Sequence, residues 1–276
     1  MMTLAPSYLP TQQLEQFKQR YTKSETKIYQ YLITHLEQVI YQSLTELSEQ
    51  TGVAEATTLR FFKKIGYQGF QAFKLALAKE QTTETHASDD YVRHVHDNMI
   101  DVIQKSLHLV DRNTLEEVID VIDAKTDVTV FAIGASAIAA LDLQNRLMRI
   151  GKNITVITDS HTQIMRATSA TNATVVIAIS ISGSTKEIIE TTQIAKAKGA
   201  TIIALTSYLK SPLTKHSDYV LLSNAKESPL DRGSLTAKVA QLYLIDLICT
   251  GITIKNQKQA ERIKHEITEN TTNKIY

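Results

Sequence analysis

The chain has 276 residues, 43% of them hydrophobic and 21% charged, with 30 Lys and Arg against 29 Asp and Glu for a net charge of +1. That composition excludes an intrinsically disordered chain and one that is basic throughout. The single cysteine, Cys249, excludes an internal disulfide and a cysteine-based metal site, and its apolar helical surroundings mark it as a small buried hydrophobe.

Residues 1–21 show a short amphipathic pattern with Leu14, Phe17 and Tyr21 on one side. Thr22-Lys23-Ser24-Glu25 reads as a capping box, in which the first hydroxyl and the last carboxylate each satisfy a backbone N–H of the other's end. It opens a helix whose inward stripe is Ile28, Leu32, Leu36, Val39 and Ile40. A second capping box, Ser43-Leu44-Thr45-Glu46, starts a shorter helix carrying Leu44 and Leu47. Thr51-Gly52-Val53 ends it, with Gly52 free to adopt a left-handed backbone angle. A third helix is predicted over 54–65 and, after the turn Gly66–Gly69, a fourth over 70–80 with Phe70, Phe73 and Leu77 inward.

A short helix, a glycine turn and a helix bearing Thr57, Arg60 and Lys64 on one side have the arrangement of a helix-turn-helix. Between Ala56 and Lys79 every charged residue is basic: Arg60, Lys63, Lys64, Lys74 and Lys79. Helix pairs of this kind also occur in proteins that never meet DNA, and a charge run is commonly a solvated face, so the pattern alone leaves both readings open. However, the segment from Leu47 to Thr57, then Arg60-Phe61 and Lys63 to Phe70, resembles the N-terminal domain of RpiR-type bacterial transcriptional regulators. The resemblance implies a DNA interface made by Glu55, Thr57, Arg60, Lys63 and Lys64. Arg60 is expected in the major groove with Thr57 and Lys64 beside it, and Lys63 on phosphate or solvent. Glu55 either accepts from a cytosine amino group or favours the helix dipole, and the second role ranks higher. The sequence departs from the family at Ala54, where a serine cap is usual, and at Thr58, where an apolar residue is usual. Leu59 stands at a position that varies within the family.

From Gln81 to Asp90 the composition turns polar, a natural domain boundary. Helices are predicted over 91–109 and 113–124, and then strand patterns at Val128–Ile133, Ile154–Thr158, Val175–Ser180, Thr201–Thr206 and Tyr219–Leu222 alternate with helical ones. That alternation implies a parallel sheet covered on both faces, with ligands at the carboxyl ends of the strands. A long helix over 234–251 has an apolar face too broad for a solitary surface helix, which leaves a core helix or a dimer interface. Residues 255–276 read as a polar tail, at most a frayed helix.

The third strand stops at Ser180-Ile181-Ser182-Gly183-Ser184-Thr185, and a helical pattern follows with Ile188, Ile189, Ile194 and Ala195 inward. A helix start offers unpaired N–H groups and the positive dipole end, the glycine allows close approach, and the hydroxyls add donors, which together suit a phosphate. An ordinary strand-to-helix turn with hydroxyl capping has the same composition. The six residues match the S-x-S-G-x-T signature of sugar isomerase (SIS) domains, which bind phosphosugars, and Val128 to Ser136 resembles the first strand and turn of that domain. The resemblance covers roughly 90–254. It implies that Ser180, Ser182 and Thr185 hold the phosphate and that Ser136 lies beside the sugar. Position in the chain adds Gly134 at the end of the first strand, Gly183 and Ser184 in the loop, and Glu227 ahead of the long helix to the expected ligand site. RpiR-type regulators join the two modules in the order found here.

Two enzymatic readings compete. Gly134 after a strand and Asp159 at the end of the next suggest a dinucleotide site, but Ser136 and Ala139 occupy the second and third glycine positions of the fingerprint. A phosphosugar isomerase or lyase needs a base near the substrate, for which Glu227, His161 and His216 are candidates, although no paired acid and base compels catalysis. The first eighty residues would have little use in such an enzyme. The expected architecture is therefore an all-α helix-turn-helix domain over 1–80, a linker over 81–90, and a three-layer α/β SIS domain with a five-stranded parallel sheet over 91–254. The expected function is a phosphosugar-responsive transcriptional regulator, more in keeping with repression than activation, that binds operator DNA as a homodimer or tetramer through its SIS domains. No catalytic role, cofactor or metal is expected. No apolar run of membrane-spanning length and no signal-peptide pattern in residues 1–10 is read from the sequence, so a cytoplasmic protein without a membrane partner is expected.

Overall fold

The structure, a computed structural model, describes residues 9–81, 90–230 and 233–272. The chain divides into two compact units, one of Met1–His94 with Lys226–Ser234 and the other of Val95–Ala225 with Leu235–Tyr276. The boundary expected over 81–90 falls, from 82 to 89, outside the described residues, and the sequence bears no sign that Lys226–Ser234 groups with the helical unit.

The first unit is built from α1 (Pro10–Gln16), α2 (Lys23–Thr34), α3 (Leu36–Val39), α4 (Leu44–Thr51), α5 (Glu55–Lys64) and α6 (Phe70–Gln81). Both capping boxes form: Thr22 and Glu25 open α2, and Ser43 and Glu46 open α4. The single helix expected to carry Ile28 through Ile40 is instead broken at His35, whose φ of −133 leaves the helical region. The Thr34 hydroxyl donates to the Gln30 and Tyr31 carbonyls, and the His35 ring bonds the Tyr31 carbonyl at 2.9 Å. Side chains that engage these carbonyls compete with the next helical turn, so the stripe continues on α3 at a new angle. Gly52 ends α4 at φ 64, and Val53 N–H bonds the Ser48 carbonyl at 3.0 Å, the left-handed stop that turns the chain into α5. The core of this unit is aromatic: Phe61, Phe62, Phe70 and Phe73 pack with Leu14, Ile28, Leu32 and Leu47.

The second unit begins within α7 (Tyr91–Leu109), continues through α8 (Arg112–Ala124), and then alternates strand and helix. The strands are β1 (Asp127–Ala132), β2 (Thr155–Ile157), β3 (Thr174–Ile179), β4 (Thr201–Thr206) and β5 (Tyr219–Leu222). They are interleaved with α9 (Ala135–Met148), α10 (Ser160–Thr168) and α11 (Lys186–Ala197), and followed by α12 (Leu235–Lys255) and α13 (Gln257–Thr272). All pairings are parallel in the order β2-β1-β3-β4-β5, with Ala132 of β1 opposite Ile179 of β3.

Alternation along the strands sorts the core into two layers. Val128, Val130, Val175, Ile177, Ile203 and Leu205 face α8, α9 and α12, while Phe131, Val176, Ala178, Ile202 and Ala204 face α10 and α11. Helices on both faces and a β3 buried along its whole length are what a parallel sheet requires.

Three expectations need correction here. Helix α12 does not stop at Gly251 but runs on to Lys255. A Cβ on Gly251 would lie 2.2 Å from Ile119 Cδ1, so this glycine serves close packing of α12 on α8 and does not break the helix. With 21 residues and a mean hydropathy of 1.4 over an 18-residue stretch, α12 is also long and apolar enough to cross a membrane, contrary to the expectation that no such run exists. Its Ala240, Gln241, Leu244, Ile245, Ile248 and Cys249 are buried within the unit, as befits a core helix. The polar segment Gln257–Thr272, in turn, forms the regular helix α13. Gln257 bonds Glu261 and Arg262 pairs with Glu266 across single turns, Ala260 is buried, and Ile263 covers Gly151.

Candidate functional site

The carboxyl ends of β1 and β3 lie side by side, and each leads through a positive-φ glycine into a helix. After β3 the chain turns at Gly183, φ 57, and enters α11 with Thr185 as its N-cap. A Cβ at Gly183 would lie 2.2 Å from Ser211 Oγ and 3.0 Å from Thr206 Oγ1, so both its angle and its neighbours demand glycine.

The loop is held from below. Gly183 N–H bonds the Ser180 carbonyl at 3.0 Å, Leu213 N–H bonds the Gly183 carbonyl at 3.0 Å, and Ser207 N–H bonds the Ile181 carbonyl at 2.9 Å. Thr206 Oγ1 donates to the Ile181 carbonyl at 3.1 Å. The hydroxyls of Ser180 and Thr185 meet at 3.1 Å across the loop mouth, and Ser182 Oγ accepts from Ser184 N–H at 3.2 Å. These contacts hold four hydroxyl residues around the start of α11, whose first N–H groups have no acceptor within the helix. The arrangement can hold a tetrahedral anion by several short bonds in the field of the helix dipole.

Thr206, Ser207 and Ser211, which form the floor, escaped sequence reasoning. Their one sequence signal is that β4 ends in hydroxyl residues as β3 does.

After β1, Gly134 takes φ 61 and caps α9, and Ser136 is buried in the first turn of that helix. Its Oγ accepts from Gln241 Nε2 of α12 at 3.0 Å. Gln163, fully buried on α10, donates from Nε2 to the Ala132 and Ile157 carbonyls and so ties the ends of β1 and β2. Neither glutamine was singled out from sequence, where a polar residue in a helix reads as surface.

Asp159, the acid a dinucleotide site would use for ribose, is the N-cap of α10. It accepts from Thr162 N–H and Oγ1 at 2.8 Å each, and those bonds hold its carboxyl below the usual range. Of the candidate bases, His216 Nε2 lies 2.8 Å from Gln193 Nε2, and His161 is exposed in the first turn of α10. Glu227 belongs to the helical unit, where its carboxylate accepts from Ser234 N–H and Oγ at 2.8 and 2.7 Å and from Gly233 N–H at 3.3 Å.

A separate cavity of about 440 Å³ opens toward the far end of α9 from Ser136, lined by Arg146, Arg149, Asp246, Cys249, Thr253 and Lys264. Burial pushes the Cys249 thiol up to about 12, which leaves it inert as a nucleophile.

In the helical unit, the first turn of α5 is fixed against α4 by Thr45 Oγ1 donating to Glu55 Oε1 at 2.7 Å. Thr58, fully buried, bonds Ser48 Oγ at 3.2 Å, so the hydroxyl that departs from the family pattern meets a polar partner on α4. Ala54 indeed provides no side-chain cap.

Arg60 is exposed and its Nη2 donates to Thr57 Oγ1 at 3.1 Å, while Lys63 projects beside it into solvent. Lys64 differs from these. Its Nζ donates to Glu25 at 2.7 Å and to the Arg20 carbonyl at 2.8 Å, fastening the end of α5 to α2. Burial raises the Glu25 carboxyl, but bonds from Lys64 and Thr22 outweigh it and hold that group below its usual value.

Comparison with known proteins follows the same division. The helix-turn-helix domain of the rpiR family matches residues 9–84 and the SIS domain matches residues 121–251. An uncharacterized HTH-type transcriptional regulator of Clostridium perfringens is 36% identical over 253 residues, covering 87% of this chain and 91% of its own length. Another, of Haemophilus influenzae, is 36% identical over 244 residues, covering 83% and 85%. Among solved structures, the Vibrio vulnificus NanR protein complexed with ManNAc-6P superposes with a TM-score of 0.90 at 26% identity, covering 96% of this chain and 99% of that one. Because both modules match in order and these relatives align along most of their length, the chain belongs to the rpiR family of helix-turn-helix transcriptional regulators and carries a SIS domain.

Proposed function

We propose that the protein is a repressor of sugar-metabolism genes whose hold on operator DNA is controlled by a phosphosugar bound in its SIS domain. The observation that carries this reading is the turn before α11, where a left-handed glycine, four hydroxyl residues and a helix N-terminus converge. Ser180, Ser182 and Thr185 take the phosphoryl oxygens, Gly183 and Ser184 shape the loop around them through the bonds their N–H groups make within it, and Gly134 and Ser136 border the sugar. Glu227 groups with the helical unit, where its carboxylate is already engaged by three donors from Gly233 and Ser234. NanR, complexed with ManNAc-6P, supplies the first effector to try. Repression is the sign that the family resemblance favours.

The reading is non-enzymatic and places the protein in the cytoplasm, in keeping with regulators as its relatives. Self-association through the SIS unit is supported by Ile100, Ile103 and Leu107, a stripe on α7 that is exposed, and by Ile138 and Leu141 exposed on α9. An effector then acts by changing the separation of two helix-turn-helix modules, since half-sites about 34–36 Å apart admit only one spacing. The deciding experiment is a thermal-shift panel of ManNAc-6P, N-acetylglucosamine 6-phosphate, glucose 6-phosphate and inorganic phosphate, followed by operator gel shifts with any ligand that stabilises. Absence of stabilisation by every compound would sink the effector assignment.

Two outcomes are expected of point variants. Ser182→Ala and Thr185→Ala each remove one charge-assisted bond to phosphate and lose about 1.5–3 kcal/mol, roughly ten- to hundredfold in affinity by calorimetry. Unchanged affinity in both would place the phosphate elsewhere. Arg60→Ala loses about 1–3 kcal/mol on operator while random DNA is affected less, as expected of a residue that reads a guanine edge. Lys63→Ala instead weakens all sequences alike and lowers the salt slope by about one unit. Lys64, held by Glu25 and Arg20, acts mainly by fixing α5. Gel shifts at two salt concentrations separate these roles.

A further inference from the structure

Gln241 is 2% exposed, in the middle of the apolar helix α12. Its Nε2 donates to Ser136 Oγ at 3.0 Å, and its Oε1 is buried with no partner among the described residues. An amide oxygen left unpaired in a core opposes folding, and a leucine of similar volume would fill the place without that penalty. Packing therefore does not explain the glutamine, whereas its N–H group does have a use.

Ser136 is 7% exposed, and among the described residues its hydroxyl makes no other hydrogen bond. A serine hydroxyl carries one proton and two lone pairs. With one lone pair filled by the Gln241 N–H, the Ser136 proton turns away from α12 as an unspent donor. It lies in the first turn of α9, just past the carboxyl end of β1 and next to the strand that ends at the Ser180–Thr185 loop. A buried hydroxyl proton with no acceptor among the described residues, past the strand end that neighbours the Ser180–Thr185 loop, points to an acceptor oxygen on a ligand.

We propose that Gln241 is a positioning residue of the effector site, which fixes Ser136 as a hydrogen-bond donor toward an oxygen of the bound phosphosugar. The proposal rests on the effector reading above and adds to it a residue in α12 that acts through Ser136.

The test uses the full chain with ManNAc-6P and inorganic phosphate as probes, by calorimetry and thermal melting. Gln241→Leu is expected to weaken ManNAc-6P binding about 3- to 10-fold while the melting temperature without ligand stays level or rises. Gln241→Met, of similar volume, should do the same and guards against a folding defect. Ser136→Ala weakens binding by more, and the Ser136→Ala/Gln241→Leu double variant binds as Ser136→Ala alone, because one residue acts through the other.

Losses that add in the double variant would overturn the proposal. So would wild-type affinity in Gln241→Leu and Gln241→Met. If Ser182→Ala lost affinity in that same experiment, the effector site would stand and only the role of Gln241 would fall. Binding of neither probe by the wild type would overturn the effector reading and this role together.

Discussion

Gly183→Ala is expected to lower phosphosugar affinity about hundredfold or more while leaving most of the fold intact. A non-glycine residue at φ 57 costs about 1–2 kcal/mol in the backbone alone. The new methyl group would also lie 2.2 Å from Ser211 Oγ and 2.6 Å from Ser211 Cβ, closer than atoms can approach. The loop must then shift, and with it the hydroxyls of Ser182 and Thr185 that converge on the start of α11. A phosphate held by several bonds loses more than one of them at once, which is why the effect exceeds that of either hydroxyl deletion. Calorimetry with ManNAc-6P, paired with a melt of the unliganded protein, measures both quantities. Affinity within threefold of wild type would show that the loop does not carry the anion.

Phe62→Ala should be the most damaging single change in the helical unit, with a loss of about 3–5 kcal/mol. The ring is fully buried and meets Phe61, Phe70 and Phe73 at centroid distances of 5.3, 5.0 and 5.0 Å. Its removal leaves a cavity at the meeting of α5 and α6, and a unit of this size has a total stability of only about 5–15 kcal/mol. Operator binding should fail while phosphosugar binding persists, since the two properties reside in different units. Phe62→Leu, which keeps most of the volume, should cost about half as much or less. A urea melt showing less than about 1 kcal/mol lost in Phe62→Ala would mean that this cluster does not hold the unit together.

Local chemistry was legible in the sequence wherever a few adjacent residues decide the outcome. Thr22–Glu25 and Ser43–Glu46 each cap a helix through bonds spanning three residues, and both form as read. Gly52 adopts the left-handed angle expected of it at its turn. The five strands likewise follow from runs of apolar, β-branched residues, with only their ends displaced. What escaped depends on residues distant in the chain. Gly251 reads as a helix stop until Ile119, far upstream, is seen to fill the space a side chain would need. Lys64 looks like a free cation until Glu25 is found against it.

The same limit applies to the candidate site. Ser180 to Thr185 announce themselves by composition, whereas Thr206, Ser211, Gln163 and Gln241 become visible only when the strands are set side by side. The break at His35 lies between these cases. Its cause is local, but the helical stripe of apolar residues on either side conceals it.

The arrangement of the two cores along the chain has a consequence for synthesis on the ribosome. The aromatic core of the helical unit lies between Leu14 and Ala78, so nearly all of it has been made before β1 begins at Asp127. The sheet cannot proceed in this way, because parallel neighbours are never adjacent in sequence and every pairing waits for a crossover. Ala132 finds its partner Ile179 only after the intervening chain has emerged, which at about 5–20 residues per second takes roughly 2–9 s. During that interval the apolar side chains of β1 and α9 have only α8 to cover them, with β3 and α12 still to come. Of the two halves, the sensing one is thus the more exposed to aggregation in the nascent chain, and the more dependent on chaperones during translation.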